Sequence, residues 1–333
     1  MKIVKIIAIL LLIIFTACKN QEKKEEIETA VSETSYNIKT AKTYAELSIK
    51  EGGHWEGREY IGGTFKNITQ LKIPVEHTDH SWFIRYEGPG WENNKIAYRM
   101  YLDWRNCIDI FGKVTDSMVL SKVGQDGFDS YHEKNDWGQD ILKAGKGLGI
   151  GSIGRYINKE VLHFNKVDST IAKVENAYDK STVITDYYGW NTANDTINLH
   201  QVLSITPNVR YTKHTIKPSK GVEGICTGIV KHGVNYFTKE SENKKWGYVA
   251  TYGEQTLVPD KLGMAIFYEV ETVKEITEWE HDYLLVFKPT TAEISFYFLG
   301  AWEQEKNGIK TEAEFLSYLD GLLNELNAKN TLK

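Results

Sequence analysis

The chain has 333 residues, 40 Lys and Arg against 45 Asp and Glu, and a net charge of −5 at pH 7. That length supplies a sizeable core for one large domain or two small ones. The missing basic excess argues against a nucleic-acid partner, although local Arg and Lys can still bind an anionic sugar. Nine Trp and 19 Tyr suit either sugar stacking or β-sheet cores.

Lys2 and Lys5 precede an unbroken apolar run from Ile6 to Phe15, followed by Thr16, Ala17 and Cys18. Ten apolar residues are too few to span a bilayer, which takes about 20. The run fits a cleaved signal at residues 1–17. Cys18 is then the expected lipidation site and the link to a membrane, with Phe15 standing where such signals usually carry leucine. Residues 18–43 are rich in Lys, Glu, Ser and Thr and read as a flexible tether. Residues 44–333 read as a single domain. His77 and His80 flank Asp79 in an H-x-x-H spacing, but no second carboxylate-rich segment completes a metal site, so neither metal nor cofactor is expected.

Two segments concentrate chemistry. Tyr86 to Lys113 joins a Gly-Pro-Gly-Trp turn to strand-like sequence. Arg99, Tyr101, Asp103, Arg105 and Asp109 share odd parity there, hence one face of a strand. Such a face is either solvated or lines a cleft. Ser130 to Gly154 reads as a glycine-rich loop that crowds His132, Glu133, Asp136, Trp137, Asp140, Lys143 and Lys146 together.

Further on, Ile197, Leu199, Leu203 and Ile205 alternate with polar residues, a period-two strand. Arg210, Tyr211 and His214 follow as a binding-competent group near a strand end. Ala265–Val273, Tyr283–Phe287 and Ile294–Leu299 read as strands, with a turn at Pro289–Thr291. Thr311 and Glu314 form a capping box, and Phe315, Leu319, Leu322 and Leu326 recur on one helical face. Cys107 and Cys226 lack metal spacing and are either a disulfide or two buried thiols. There is no P-loop, no GxGxxG after a strand and no Gly-x-Ser-x-Gly elbow. The expected fold is mainly β: a large two-sheet antiparallel sandwich with a C-terminal helix.

The segments YEGPGWENNKIAYRMYLDWRNCIDIFGK and DSYHEKNDWGQDILKAGKGLGIGSIG resemble a Bacteroidetes family from polysaccharide-utilisation loci that includes an ulvan oligosaccharide dehydratase. The resemblance spans about residues 44–327. It implies removal of water across C4 and C5 of a non-reducing-end glucuronic or iduronic acid, leaving an unsaturated uronyl end. The expected partner is an anionic, ulvan-derived oligosaccharide, met at the outer membrane facing the periplasm. By analogy of fold, the sandwich would be the large kind found in sugar mutarotases.

That chemistry needs a cation on the carboxylate, a base for the C5 proton and an acid for O4. Arg99 or Arg105 is expected on the carboxylate. His132 is the first choice for proton transfer, oriented by Asp136, with Tyr98, Tyr131 and Lys146 as further candidates. Trp91 or Trp137 is expected to stack on the sugar. The C5 protons of the two epimers lie on opposite ring faces, so Tyr211 is a candidate second base. A non-catalytic glycan-binding lipoprotein and a chain-cleaving β-elimination lyase remain alternatives.

Overall fold

The computed structural model describes residues 41–126 and 130–333. The signal, most of the tether and Cys18 lie outside the described residues.

Period-two alternation builds the larger layer. In Asp195–Ile205, the residues Ile197, Leu199, Leu203 and Ile205 are buried while Asn198 is exposed. This strand sits inside a nine-stranded sheet ordered Asn235–Glu240, Trp246–Glu254, Lys261–Glu269, Ile294–Trp302, Tyr211–Pro218, Asp195–Ile205, Lys180–Thr192, Ser169–Ala177 and Gln70–Lys72. The strand expected over Ala265–Val273 ends at Glu269, because a 3-10 turn over Val270–Thr272 breaks it before Val273–Glu278 begins.

Two smaller sheets face this layer. One has six strands, ordered Glu59–Ile68, Thr43–Glu56, Gly90–Asn93, Ile96–Met100, Ile108–Lys113 and Gly138–Asp140. The other has five, ordered Val273–Glu278, Asp282–Phe287, Ile225–Val230, Ile150–Ile157 and Glu160–Leu162. Their strands pair antiparallel, and a parallel bridge between Ile108 and Gly149 seams the two sheets together. One apolar cluster fills the space between the layers, with Leu47, Ile110, Ile153, Leu203, Ile229 and Phe298 drawn from all three sheets. The fold is therefore a large antiparallel β-sandwich.

The helix Glu312–Lys329 opens on the Thr311–Glu314 capping box and closes on Asn330 in the left-handed conformation. Phe315, Leu319, Leu322, Leu323 and Leu326 pack against Tyr248, Tyr252 and Phe267 on the outer face of the nine-stranded sheet. Cys107 and Cys226 are free, buried thiols in separate clusters.

The glycine-rich stretch departs from its reading as a loop. Ile150–Ile157 is a buried strand. The glycines are there because backbone and rings approach closely: a Cβ on Gly149 would collide with the Ile108 carbonyl oxygen, and one on Gly151 would collide with the Phe298 ring. Both have positive φ, 68° and 74°. Gly145 has φ 58°, and the place where its Cβ would stand has nothing within 4 Å. Gly145→Ala should therefore cost only the left-handed backbone penalty, about 1–2 kcal/mol. Gly149→Ala should cost clearly more, because the seam must also open. Equal midpoints for the two variants in urea unfolding would refute this account of the seam.

Candidate active site

The paired strands Ile96–Met100 and Ile108–Lys113 place Arg99 directly opposite Asp109. The neighbouring strand Gly138–Asp140 brings Asp140 alongside, opposite Phe111. Arg99 Nη2 donates to Asp109 Oδ2 at 2.8 Å and to Asp140 Oδ2 at 2.7 Å, and Nη1 donates to the Tyr131 hydroxyl at 2.9 Å. The guanidinium also lies over the rings of Tyr101, Phe111 and Tyr131, at 4.7, 5.2 and 5.1 Å. Arg99 is 1% exposed, so the odd-parity face is neither solvated nor open.

His132 joins the same hub. Its Nδ1 lies 3.1 Å from Asp140 Oδ2, and its ring centroid is 4.6 Å from that of Tyr131. The two chemistry-bearing segments thus meet at one carboxylate oxygen. The orienting acid is Asp140; Asp136, expected in that role, is exposed. Burial raises the Tyr131 phenol well above its usual range, with Arg99 opposing, and keeps it protonated. Burial and the Asp140 charge together push Asp109 up, against the pull of Arg99.

A second hub surrounds Arg105. Its Nε donates to both Asp103 oxygens at 2.9 and 3.0 Å, and its Nη2 reaches Asp79 Oδ1 at 2.8 Å and Glu87 Oε1 at 3.2 Å. Its guanidinium lies 4.1 Å above Tyr101, whose hydroxyl donates to Asp109 Oδ2 at 2.9 Å, so the two hubs adjoin. Asp79 Oδ1 also meets His80 Nδ1 at 2.7 Å, and the His80 N–H donates to Glu87 Oε1 at 3.0 Å. Burial raises Glu87 despite Arg105 and Arg99. Burial acts against the Asp79 carboxylate too, but contacts with Glu87, Arg105 and His80 outweigh it and hold Asp79 low.

Above these hubs opens a cavity of about 410 Å3, within the ~300–1,000 Å3 typical of small-molecule sites. Phe65, Trp82, Tyr86 and Tyr131 give it aromatic walls, and Lys50, His80 and Glu87 supply titratable groups. Buried Glu46 holds the wall from behind, accepting from the Tyr86 hydroxyl at 2.6 Å and pairing with Arg85. Lys50 Nζ lies 5.5 Å from the Phe65 ring and forms no ion pair among the described residues. His80, Trp82, Tyr86 and Glu87 have φ of 58°, 62°, 41° and 70°. Left-handed φ is uncommon for such bulky side chains, and this strain gathers on one cavity wall.

Several expected site residues lie elsewhere. Arg99 is buried and engaged by Asp109, Asp140 and Tyr131, and Arg105 is engaged through Nε and Nη2 by Asp79, Glu87 and Asp103. Trp91 is fully buried, donating to Thr212 Oγ1 at 2.8 Å and stacked on Tyr98. Tyr98 is locked in the inter-sheet core by the Arg210 carbonyl and the Gly300 N–H, at 2.6 and 3.0 Å. Parity explains both: Trp91 pairs with Tyr98 on the face opposite Arg99. Trp137 is buried edge-on against Phe111. Lys146 is exposed and has no contact with His132 among the described residues.

The Arg210 group also falls outside the site. Arg210 pairs with Glu305 and lies over Tyr318 of the terminal helix. Tyr211 donates to the Lys333 carbonyl at 2.7 Å. His214 is buried in the core against the Gly151 carbonyl, and desolvation lowers it to about 4. His77, half of the H-x-x-H reading, is likewise buried, with Nδ1 on Ser81 Oγ. Lys50, Phe65, Trp82 and Glu87 were not legible as site residues in the sequence.

The family model described as Domain of unknown function (DUF4861) matches residues 10–331. No curated protein matches the sequence. Among solved structures, a putative aldose 1-epimerase from Klebsiella pneumoniae subsp. pneumoniae MGH 78578 is similar at 7% identity and TM-score 0.37, over 86% of this chain and 97% of that one. A 4-alpha-glucanotransferase from Thermococcus litoralis is similar at 10% identity and TM-score 0.31, over 69% of this chain and 39% of that one.

Asp140→Ala should cost about 3 kcal/mol, since it removes one partner of a buried ion cluster. Asp136→Ala should stay within about 0.5 kcal/mol of the parent, as exposed substitutions do. Urea unfolding of both variants checks the assignment, which fails if Asp136→Ala is the more damaging.

Proposed function

We propose that this chain, which belongs to the family Domain of unknown function (DUF4861), is a hydro-lyase acting on the non-reducing-end uronic acid of ulvan-type oligosaccharides. The observation that carries the reading is the pairing of Tyr131 and His132. One is a buried phenol on Arg99 Nη1, the other an imidazole on Asp140, and their rings adjoin beside an aromatic cavity.

In this reading the sugar ring stacks on Trp82 or Phe65. Lys50, the cavity cation without an ion pair among the described residues, meets the uronate carboxylate and makes C5 acidic enough to lose its proton. His132 takes that proton. The C5–H electron pair becomes the C4–C5 double bond, and the C4–O4 bond breaks. Tyr131 gives its proton to O4, which leaves as water. Arg99 stabilises the tyrosinate until the His132 proton restores it. Asp140 holds the imidazole and balances its positive charge.

This mechanism has a stereochemical consequence. Tyr131 and His132 are neighbours, so base and acid act from one side of the ring. Glucuronate carries H5 and O4 on the same face, whereas iduronate carries them on opposite faces. Iduronate would need a second base, and Tyr211 cannot supply it because it lies under the terminal helix.

Incubation with ulvan oligosaccharides ending in a saturated glucuronate should raise ultraviolet absorbance and yield a product lighter by one water, with unchanged chain length. His132→Ala and Tyr131→Phe should each lower turnover by about 100-fold or more. Lys50→Met should lower kcat as well as raise KM, because the ammonium both binds the carboxylate and stabilises the charge that develops as C5 loses its proton. Iduronate ends should react at least about 10-fold more slowly, by the scale of one lost proton-transfer contact. Chain shortening would identify a lyase, and binding without new absorbance a binding module. We also propose Cys18 as the lipid anchor to the outer membrane. Cys18→Ala should release the protein from the membrane fraction or leave an uncleaved precursor, and unchanged membrane association would refute the anchor.

A further inference from the structure

We propose that Asp79, His80 and Glu87 form a site for one first-row divalent cation at the wall of the cavity. One ligand atom from each of the three lies within 4.8 Å of the others. One imidazole and two carboxylates are a donor set that suits zinc or manganese, and the imidazole disfavours calcium.

Two observations point to a cation at this place. The first is charge. Across the two adjoining hubs, the five carboxylates of Asp79, Glu87, Asp103, Asp109 and Asp140 face two guanidinium groups, Arg99 and Arg105, and two imidazoles, His80 and His132. Only the two guanidinium groups are permanent charges, so the carboxylates outnumber them, and a divalent cation between Asp79 and Glu87 would offset that excess. The second is an unpartnered atom. Glu87 is 4% exposed, its Oε1 lies 4.0 Å from His80 Nδ1, and its Oε2 is buried with no hydrogen-bond partner among the described residues. A buried carboxylate oxygen without a partner is costly, and metal coordination removes that cost.

Arg105 is compatible with this role. It engages Asp79 Oδ1 and Glu87 Oε1, as outer partners of metal-bound carboxylates commonly do, and so fixes their orientation. Three protein ligands leave coordination positions open. His80 and Glu87 both line the cavity, so those positions face the space where a ligand would sit. A uronate carboxylate fits there as an anionic oxygen donor, sharing its charge between the cation and Lys50. That last step rests on the hydro-lyase reading; the cation site itself does not.

The test is titration of the chelator-treated, full-length folded protein with zinc chloride, and separately with manganese chloride, by isothermal calorimetry. The expected result is one ion per chain at micromolar affinity or tighter, with calcium chloride at least about 100-fold weaker. Glu87→Gln and His80→Ala should each weaken zinc binding by about 100-fold or more. His80 is half exposed, so its variant should keep the parent circular dichroism spectrum even if Glu87→Gln does not fold. His132→Ala, outside the cluster, should bind zinc as the parent does. No binding by the parent, or zinc binding unchanged in His80→Ala, overturns the site. Chelated protein that binds no metal yet dehydrates glucuronate ends at full rate removes the cation and leaves the hydro-lyase reading standing. Metal binding as described, with no dehydration, supports the site and removes the hydro-lyase reading.

Discussion

Removing an ion from water costs several kcal/mol even after relaxation, so a buried arginine persists only where its donors are met. Arg99 meets Asp109 across its own strand pair, Asp140 from the next strand and the Tyr131 hydroxyl from the segment between them. It is the joint that fastens residues 130–140 onto the six-stranded sheet. Without its charge, Asp109 and Asp140 would face one another with no cation between them. Tyr131 and His132 would lose the contacts that hold them beside the cavity.

The opposite wall is held by packing rather than charge. The Lys50 N–H donates to the Phe83 carbonyl at 2.9 Å and the Tyr60 N–H to the Ser81 carbonyl at 2.8 Å. Trp55, Tyr60 and Phe83 then close into a three-ring cluster with centroids 5.0–5.2 Å apart. This clamp pins the segment from His80 to Glu87 between the hairpin of Thr43–Glu56 and Glu59–Ile68 and the arginine hubs. Four bulky residues in left-handed conformations are tolerable because hairpin, hubs and Glu46 together over-determine the segment. The strain is the consequence of aiming four side chains into one space from eight consecutive residues.

How far the sequence foretells this differs by element. The strand Asp195–Ile205 and the capped terminal helix are legible because each has one wet face and one dry face, and periodicity records that contrast. The parity of Arg99, Tyr101 and Asp109 is legible for the same reason. Their burial is not, since a polar face looks alike whether water or a second polar segment covers it. Proximity in sequence favours Asp136 over Asp140 as the partner of His132, but it says nothing of spacing across a sheet. Ile150–Ile157 reads as a loop because glycine signals freedom, while here it answers to the Ile108 carbonyl and the Phe298 ring. Lys50, Phe65 and Trp82 sit in sequence with no local concentration of charge. Only the glycine pairs Gly52-Gly53 and Gly62-Gly63 hint that the hairpin carrying Lys50 and Phe65 bends to make a wall.

The engagement of Arg99 by carboxylates has a general cause. A cation on the inner part of a strand is buried whether or not a ligand is present, so the fold must neutralise it permanently. Once carboxylates do that, the arginine becomes a support for other groups, as Arg99 is for the Tyr131 hydroxyl. A cation kept for an anionic ligand has to sit where water can stand in when the ligand leaves. Lys50 meets that condition: along Thr43–Glu56 the residues through Ile49 are buried, Lys50 is half-buried and Glu51 is exposed. Its ammonium lies 5.5 Å from the centroid of the Phe65 ring at the cavity wall, as suits a long charged side chain at an apolar boundary. The position where a strand still paired in its sheet runs out of the core, rather than the density of charge within it, is thus where a β-sandwich of this kind can keep a binding cation available.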